Sequence, residues 1–163
     1  MKKYLLLLTI SISSFSLIAQ EESESPQTIP TFSIVDFDGE TFTNENMAKR
    51  TSSYIVYFNP ECGHCKTAFK KLNKNVEALD LKKVTFYAVA ANTKEKTAKF
   101  FNEIAPELLK LKNLKILLDE DFIFAEAFKV GSYPTIYFYD KKGNFVSRYE
   151  GSSDVLKPVK DLE

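Results

Sequence analysis

The sequence predicts an α/β fold: a mixed central sheet with helices on both of its faces. Three observations carry this expectation. Apolar runs of strand length, at residues 53–58, 84–90, 115–118 and 135–139, alternate with stretches whose apolar residues recur at helical spacing. Strands that alternate with helices imply parallel pairs covered on both sides, joined by right-handed crossovers. The chain has 163 residues, enough for one domain with a substantial core and too few for two. Its 44% apolar content is ordinary for a globular protein. The 14 Phe and 8 Tyr, with no Trp, read as core and sheet packing. Formal charge is zero with a single His, so no basic stripe points to nucleic acid.

In chain order, residues 1–19 read as a secretory signal peptide. Lys2 and Lys3 are the positive end, and Tyr4 to Ile10 is the apolar stretch. Cleavage is expected after Ala19, with Ser16 as the alternative. An uncleaved N-terminal anchor is the other reading of this segment and the one route to a membrane. No cysteine lies nearby to carry a lipid. Residues 20–30, with Glu21, Glu22, Glu24, Pro26 and Pro30, read as a disordered linker. The domain is expected over 31–163. It opens with a hairpin, 32–36 and 40–43, around Asp38-Gly39. Residues 44–52 are polar, a loop or short helical turn.

Strand 53–58 leads into Cys62-Gly63-His64-Cys65, and a helix is expected over 66–79 with Phe69, Leu72, Val76 and Leu79 on its buried face. Strand 84–90 is followed by Asn92-Thr93-Lys94-Glu95, which reads as a capping box opening a helix with Phe101, Ile104 and Ala105 inward. Pro106 ends or kinks that helix. Strand 115–118 comes next. Asp119 can cap a short helix at 121–128, with Gly131 just past its end. Strand 135–139, a turn at 140–144 and an antiparallel return at 145–149 complete the sheet. A last helix, 152–162, is weakened by Pro158.

Cys62 and Cys65 are the only cysteines and His64 the only histidine. The strand-to-helix context places Cys62 at a helix N-terminus. There the unpaired backbone N–H groups and the helix dipole favour a thiolate, the nucleophilic form. Cys65, one turn in and partly shielded, can attack the Cys62 sulfur and close a Cys62–Cys65 disulfide. A structural zinc site wants four Cys or His ligands, and this chain offers at most three. His64 also lies inside the four-residue turn, which strains any shared metal, so no metal and no cofactor are expected. A structural disulfide across two residues closes too small a loop to stabilise much. The signal segment implies an oxidising compartment in which such a pair acts on cysteines of other proteins.

The strand–Cys62-Gly63-His64-Cys65–helix unit resembles the thioredoxin superfamily. Gly131-Ser132-Tyr133-Pro134-Thr135, opening a later strand, supports the resemblance. It implies a thioredoxin-like fold with Pro134 as the cis-proline beside the cysteines, and the exposed backbone of Tyr133 as the edge on which a substrate chain docks. Between Cys65 and Pro134 lie 68 residues, more than the minimal unit. With the N-terminal hairpin and the βα insertion, this looks like the exported TlpA/ResA-type branch, over about residues 31–151. The branch implies the bacterial periplasm. The departures are specific. Val56 stands where thioredoxin has a buried Asp, and Ala68 where the branch often has Glu. Glu61 replaces the customary Trp, and its charge is expected to oppose the Cys62 thiolate. Tyr133 is bulkier than the usual residue before the cis-proline. Gly63 and His64 give the Cys-Gly-His-Cys motif found in protein disulfide isomerases. A charge on His64 is expected to favour the reduced pair and make the disulfide more oxidising.

The sequence therefore predicts an exported protein-disulfide oxidoreductase. Its partners are client proteins with cysteines or disulfides, and a redox partner that resets the pair. Two alternatives stand beside it. One is a non-catalytic binding module on the same fold. The other is a thiol peroxidase, suggested by the peroxiredoxin-like stretch Thr31 to Asp36 with Asp38-Gly39. Against the peroxidase, Pro60-Glu61-Cys62 lacks the Thr of the usual peroxidatic context.

Overall fold

The computed structural model describes residues 25–80 and 83–160. The expected signal peptide and residues 20–24 of the expected linker lie outside them. Seven strands form one mixed sheet: β1 (Ser33–Asp36), β2 (Thr41–Thr43), β3 (Ser52–Phe58), β4 (Val84–Ala90), β5 (Leu114–Leu118), β6 (Thr135–Tyr139) and β7 (Phe145–Glu150). Their order is β2-β1-β5-β4-β3-β6-β7. β3, β4 and β5 are parallel neighbours, while β1, β2, β6 and β7 pair antiparallel. Helices α1 (Gly63–Lys74), α2 (Lys94–Ile104), α3 (Ile123–Phe128) and α4 (Lys157–Lys160) complete the domain. This is the thioredoxin-like arrangement expected, with its N-terminal hairpin and a βα unit, β5 and α3, before the cis-proline strand β6.

Alternation along the central strands divides the core in two. Tyr54, Val56 and Phe58 of β3 face α1, α2 and α4, and Ile55 and Tyr57 face α3 and the hairpin. Successive side chains of a strand point to opposite faces, so a strand buried on both sides reads as a continuous apolar run. The aromatics do the packing expected of them. Phe58 meets Phe69 of α1 at 4.4 Å between ring centroids and Phe100 of α2 at 5.0 Å. These rings hold the N-terminal end of α1 against the C-terminal end of β3. On the other face Phe124 stacks on Phe128 at 3.8 Å. Among the described residues no helix is long and apolar enough to cross a membrane.

Several elements differ in extent from the sequence expectation. α1 stops at Lys74 because Asn75 leaves helical geometry, with φ −120° and ψ 35°, and its side-chain amide donates to the Lys71 carbonyl at 2.8 Å. Val76 and Leu79 therefore belong to a separate 3-10 turn. The cap of α2 is Thr93, whose hydroxyl accepts from Lys96 N–H, and no capping box with Glu95 forms. The left-handed residue that ends α3 is Lys129, φ 55°, and not Gly131. Among the described residues of the expected last helix, Lys157–Lys160 alone is helical. Gly151, at φ 79°, turns the chain first, and Pro158 is tolerated in a first helical turn. The ordered chain also begins before Thr31. Ile29 N–H donates to the Gly143 carbonyl at 3.1 Å, Phe145 N–H to that of Gln27 at 2.8 Å, and the Tyr139 hydroxyl to that of Pro26 at 3.1 Å.

Burial of tyrosines makes the fold sensitive to alkali. Desolvation raises the phenols of Tyr54, Tyr57, Tyr87 and Tyr139 above the usual value near 10, and that of Tyr137 to about 12. A phenol with a raised folded-state value keeps its proton in the fold and loses it near pH 10 once unfolded. Its stabilisation is thus complete below about pH 10 and declines as pH rises, for Tyr137 until about 12. We expect the denaturation midpoint in guanidinium to be level from pH 7 to 9 and to fall between pH 10 and 12. A level midpoint through pH 12 would show that these phenols ionise freely in the fold.

Candidate active site

The C-terminal end of β3 delivers the chain into Asn59-Pro60-Glu61-Cys62. Cys62 N–H donates to the Asn59 carbonyl at 3.0 Å, and the Asn59 side chain accepts from Glu61 N–H at 2.9 Å. This tight turn sets Cys62 as the N-cap of α1, with extended backbone (φ −75°, ψ 127°) and its carbonyl accepting from Lys66 N–H at 3.1 Å. The Cys62 side chain makes no capping bond, so its sulfur is not tied to the first turn and is partly exposed. Its thiol lies 3.8 Å from the Tyr133 carbonyl, a long contact for a weak donor. The Tyr133–Pro134 peptide bond is cis. The structure thus brings together Cys62, Tyr133 and Pro134, which are far apart in sequence. β3 and β6 are antiparallel neighbours, and Tyr57 pairs with Thr135, which sets the two loops side by side.

Cys65 is fully buried in the α1-side core. Burial pushes its thiol well above the ordinary range, a backbone hydrogen bond from Asn59 works the other way, and the neighbouring Cys62 sulfur adds to the rise. One sulfur is accessible at a helix N-terminus and the other is shielded and held as a thiol. This asymmetry suits a nucleophile and a resolving partner.

The remaining predicted residues sit at the rim. His64 and Gly63 are exposed in the first turn of α1. A Cβ added at Gly63 would meet no atom within 4 Å, so local packing does not demand glycine there. Glu61 reaches across to α2. Its carboxylate accepts from the Lys96 ammonium at 2.9 Å and the Asn92 amide at 3.2 Å, and the Lys96 contact holds it below the usual carboxylate range. The expected opposition between Glu61 and a Cys62 thiolate is accordingly offset by a cation from another element. Lys96 and Asn92 were not legible as site residues, because the stretch around them reads only as the start of a helix and Glu61 lies more than 30 residues earlier in the chain. Among the described residues no group of three or more His, Cys, Asp or Glu is arranged to hold a metal.

A model of the AhpC/TSA family matches residues 26–148. The chain belongs to the AhpC/TSA family. The match spans the hairpin, the cysteine pair, the cis-proline and most of β7. No curated protein matches the chain. Solved structures do. The MTB dsbF protein superposes with a TM-score of 0.66 at 23% identity, covering 86% of this chain and all of that one. The thioredoxin domain of a thiol-disulfide oxidoreductase from Bacteroides vulgatus gives 0.66 at 20%, covering 85% and 97%. A secreted disulfide oxidoreductase from Mycobacterium tuberculosis gives 0.64 at 19%, covering 80% and 96%. At these identities the likeness establishes the fold. In this AhpC/TSA member the sequence around Cys62 remains without the peroxidatic threonine, and a second cysteine follows within one helical turn.

Proposed function

We propose that this protein is an exported thiol–disulfide oxidoreductase of the TlpA/ResA type, acting on other proteins through Cys62 and Cys65. The observation that carries the reading is the pairing of a half-buried Cys62 at a helix N-terminus, beside the cis Tyr133–Pro134 bond, with a buried Cys65 one turn on. The Cys62 thiolate attacks one sulfur of a client disulfide. A Cys62–client bond forms, and the other client sulfur leaves as a thiolate that takes a proton from water. Cys65 then attacks the Cys62 sulfur. The Cys62–Cys65 bond forms as the Cys62–client bond breaks, so the pair gives up two electrons and the client gains them. The reverse sequence inserts a disulfide. Tyr133 and Pro134 form the docking edge for the client main chain, His64 and Glu61 set the rim charge, and Gly63 keeps the rim between the cysteines open. A separate redox protein resets the pair. The first 19 residues direct export, and the bacterial periplasm is the compartment that fits the branch.

Insulin reduction tests the reading. With dithiothreitol as electron source, catalytic amounts of the protein should bring forward the onset of insulin B-chain turbidity. Turbidity that rises no faster than with dithiothreitol alone would remove the enzymatic reading. Hydrogen peroxide consumed with thiol turnover would establish a peroxidase in its place.

A further inference from the structure

The outward face of α1 carries a charge pattern that the fold does not use. Cys62 heads one i, i+4 ridge of the helix, and the next residues on that ridge are Lys66, Lys70 and Lys74. These lysines are all exposed. Side chains four apart on a helix are neighbours, so Lys66–Lys70 and Lys70–Lys74 are like-charge pairs, each unfavourable to the helix. The helix dipole favours Lys74 at the C-terminal end and opposes Lys66 near the other. α1 contains no acid to offset them. Among the described residues, the nearby acids are engaged elsewhere. Glu61 pairs with Lys96 at 2.9 Å, Glu107 with Lys110 at 2.7 Å and Glu103 with Lys99 at 4.0 Å. Lys66 adds to the field at Glu61 but forms no bond with it. Lys71, off the ridge, has a structural use: its ammonium donates to the Ser152 carbonyl at 3.0 Å and ties α1 to the chain after β7. No such bond fixes Lys66, Lys70 or Lys74 among the described residues.

We propose that the Lys66–Lys70–Lys74 ridge is a docking strip for an acidic segment of the client chain, so that the protein prefers disulfides whose cysteine lies near a few Asp or Glu residues. The inference rests on the exchange reading above and names the class of client it favours. At a rise of about 1.5 Å per residue the strip runs about 12 Å from Lys66 to Lys74, and Cys62 lies about 6 Å before it. An extended chain advances about 3.3 Å per residue, so the client's acids fall about two to six residues from its reacting cysteine. Carboxylates laid along the ridge offset the repulsion between its lysines. A strip of one charge beside an accessible nucleophile also speeds the encounter with a partner of the opposite charge. The strip takes no part in the covalent step, which remains the attack by Cys62 and the closure by Cys65.

A pair of disulfide-bridged peptides of equal length tests the proposal, one carrying Glu and the other Lys over that span, with uncharged 2-hydroxyethyl disulfide as the control. The reduced protein should attack the Glu peptide about tenfold faster than the Lys peptide at low ionic strength. The difference should nearly vanish in 1 M salt, where the screening length is about 3 Å. In Lys70→Glu/Lys74→Glu the preference should reverse, and in Lys70→Gln/Lys74→Gln it should shrink toward equality. Both variants should consume 2-hydroxyethyl disulfide at the wild-type rate. Equal rates with the two peptides in the wild type, or a preference that survives both pairs of substitutions, would overturn the proposal. So would an equal loss of rate with the neutral disulfide, which would place the effect on Cys62 itself. Sedimentation with phosphatidylglycerol vesicles in the absence of any peptide preference would assign the strip to a membrane surface instead. In these outcomes the neutral disulfide is still consumed and the exchange reading stands. Wild-type protein that attacks none of the disulfides faster than glutathione does would end the exchange reading and this proposal with it.

Discussion

Replacing Cys62 with Ser should reduce disulfide exchange to the uncatalysed rate, whereas replacing Cys65 with Ser should turn the protein into a trap. The difference follows from where the two sulfurs sit. Cys62 is accessible, uncapped and at the positive end of α1, where a serine hydroxyl would not ionise at neutral pH. Without the thiolate no mixed disulfide forms. Cys65 is buried, and burial raises its thiol, so it contributes nothing to the first attack. In Cys65→Ser the first step proceeds and the second has no nucleophile. Client proteins should then accumulate as covalent adducts that dithiothreitol releases, visible on non-reducing gels of an exported-protein extract. Serine is close in size to cysteine and Cys65 is fully enclosed, so folding should survive with a small loss of stability. Adducts from Cys62→Ser and none from Cys65→Ser would reverse the roles of the two residues.

The parts of this site that could be read in the chain are those contained in one contiguous stretch. The apolar run of β3, the cysteine pair and the periodicity of α1 are local, and each specifies its own conformation. Tyr133-Pro134 was legible through a resemblance of short motifs. What escaped was set by sheet register. Away from the cysteines, Asp119 was legible as a helix cap, which it is. Its further hydrogen bond, from Tyr57, was not: the two are 62 residues apart and meet because β3, β4 and β5 lie side by side. Glu61 and Lys96 are 35 residues apart on different elements, so the charge beside Cys62 could be read while its partner could not. The end of α1 was missed because Val76 and Leu79 continue the helical period although Asn75 has already broken the backbone. The stretch from Pro26 to Ile29 has the composition of a solvated linker. Main-chain bonds hold it beside the β6–β7 turn, and composition does not report main-chain bonds.

Replacing His64 with Pro should lower the reduction potential of the Cys62–Cys65 couple by up to about 90 mV, the span between the isomerase and thioredoxin reference couples. For a two-electron couple this is about 4 kcal/mol, or roughly 10³-fold in the equilibrium constant. His64 is the second helical residue of α1 and is exposed. Its ring is therefore near the end of the helix that carries the Cys62 sulfur, and any positive charge it carries or shares favours the reduced pair over the uncharged disulfide. Glu61 is the obvious opponent, but Lys96 pairs with it at 2.9 Å, so the histidine acts against a carboxylate already matched by a cation. Proline at this position costs the fold little, because the N–H groups of the first helical turn have no partner within the helix. Equilibration with a glutathione series, read by alkylation and mass shift, measures the potential directly. A wild-type value near −180 mV that falls toward −270 mV in the variant would make the protein an oxidant or isomerase tuned by His64. The same potential in both proteins would remove His64 from the site's chemistry. A shared value near −270 mV would further make the protein a reductase that depends on a dedicated electron donor.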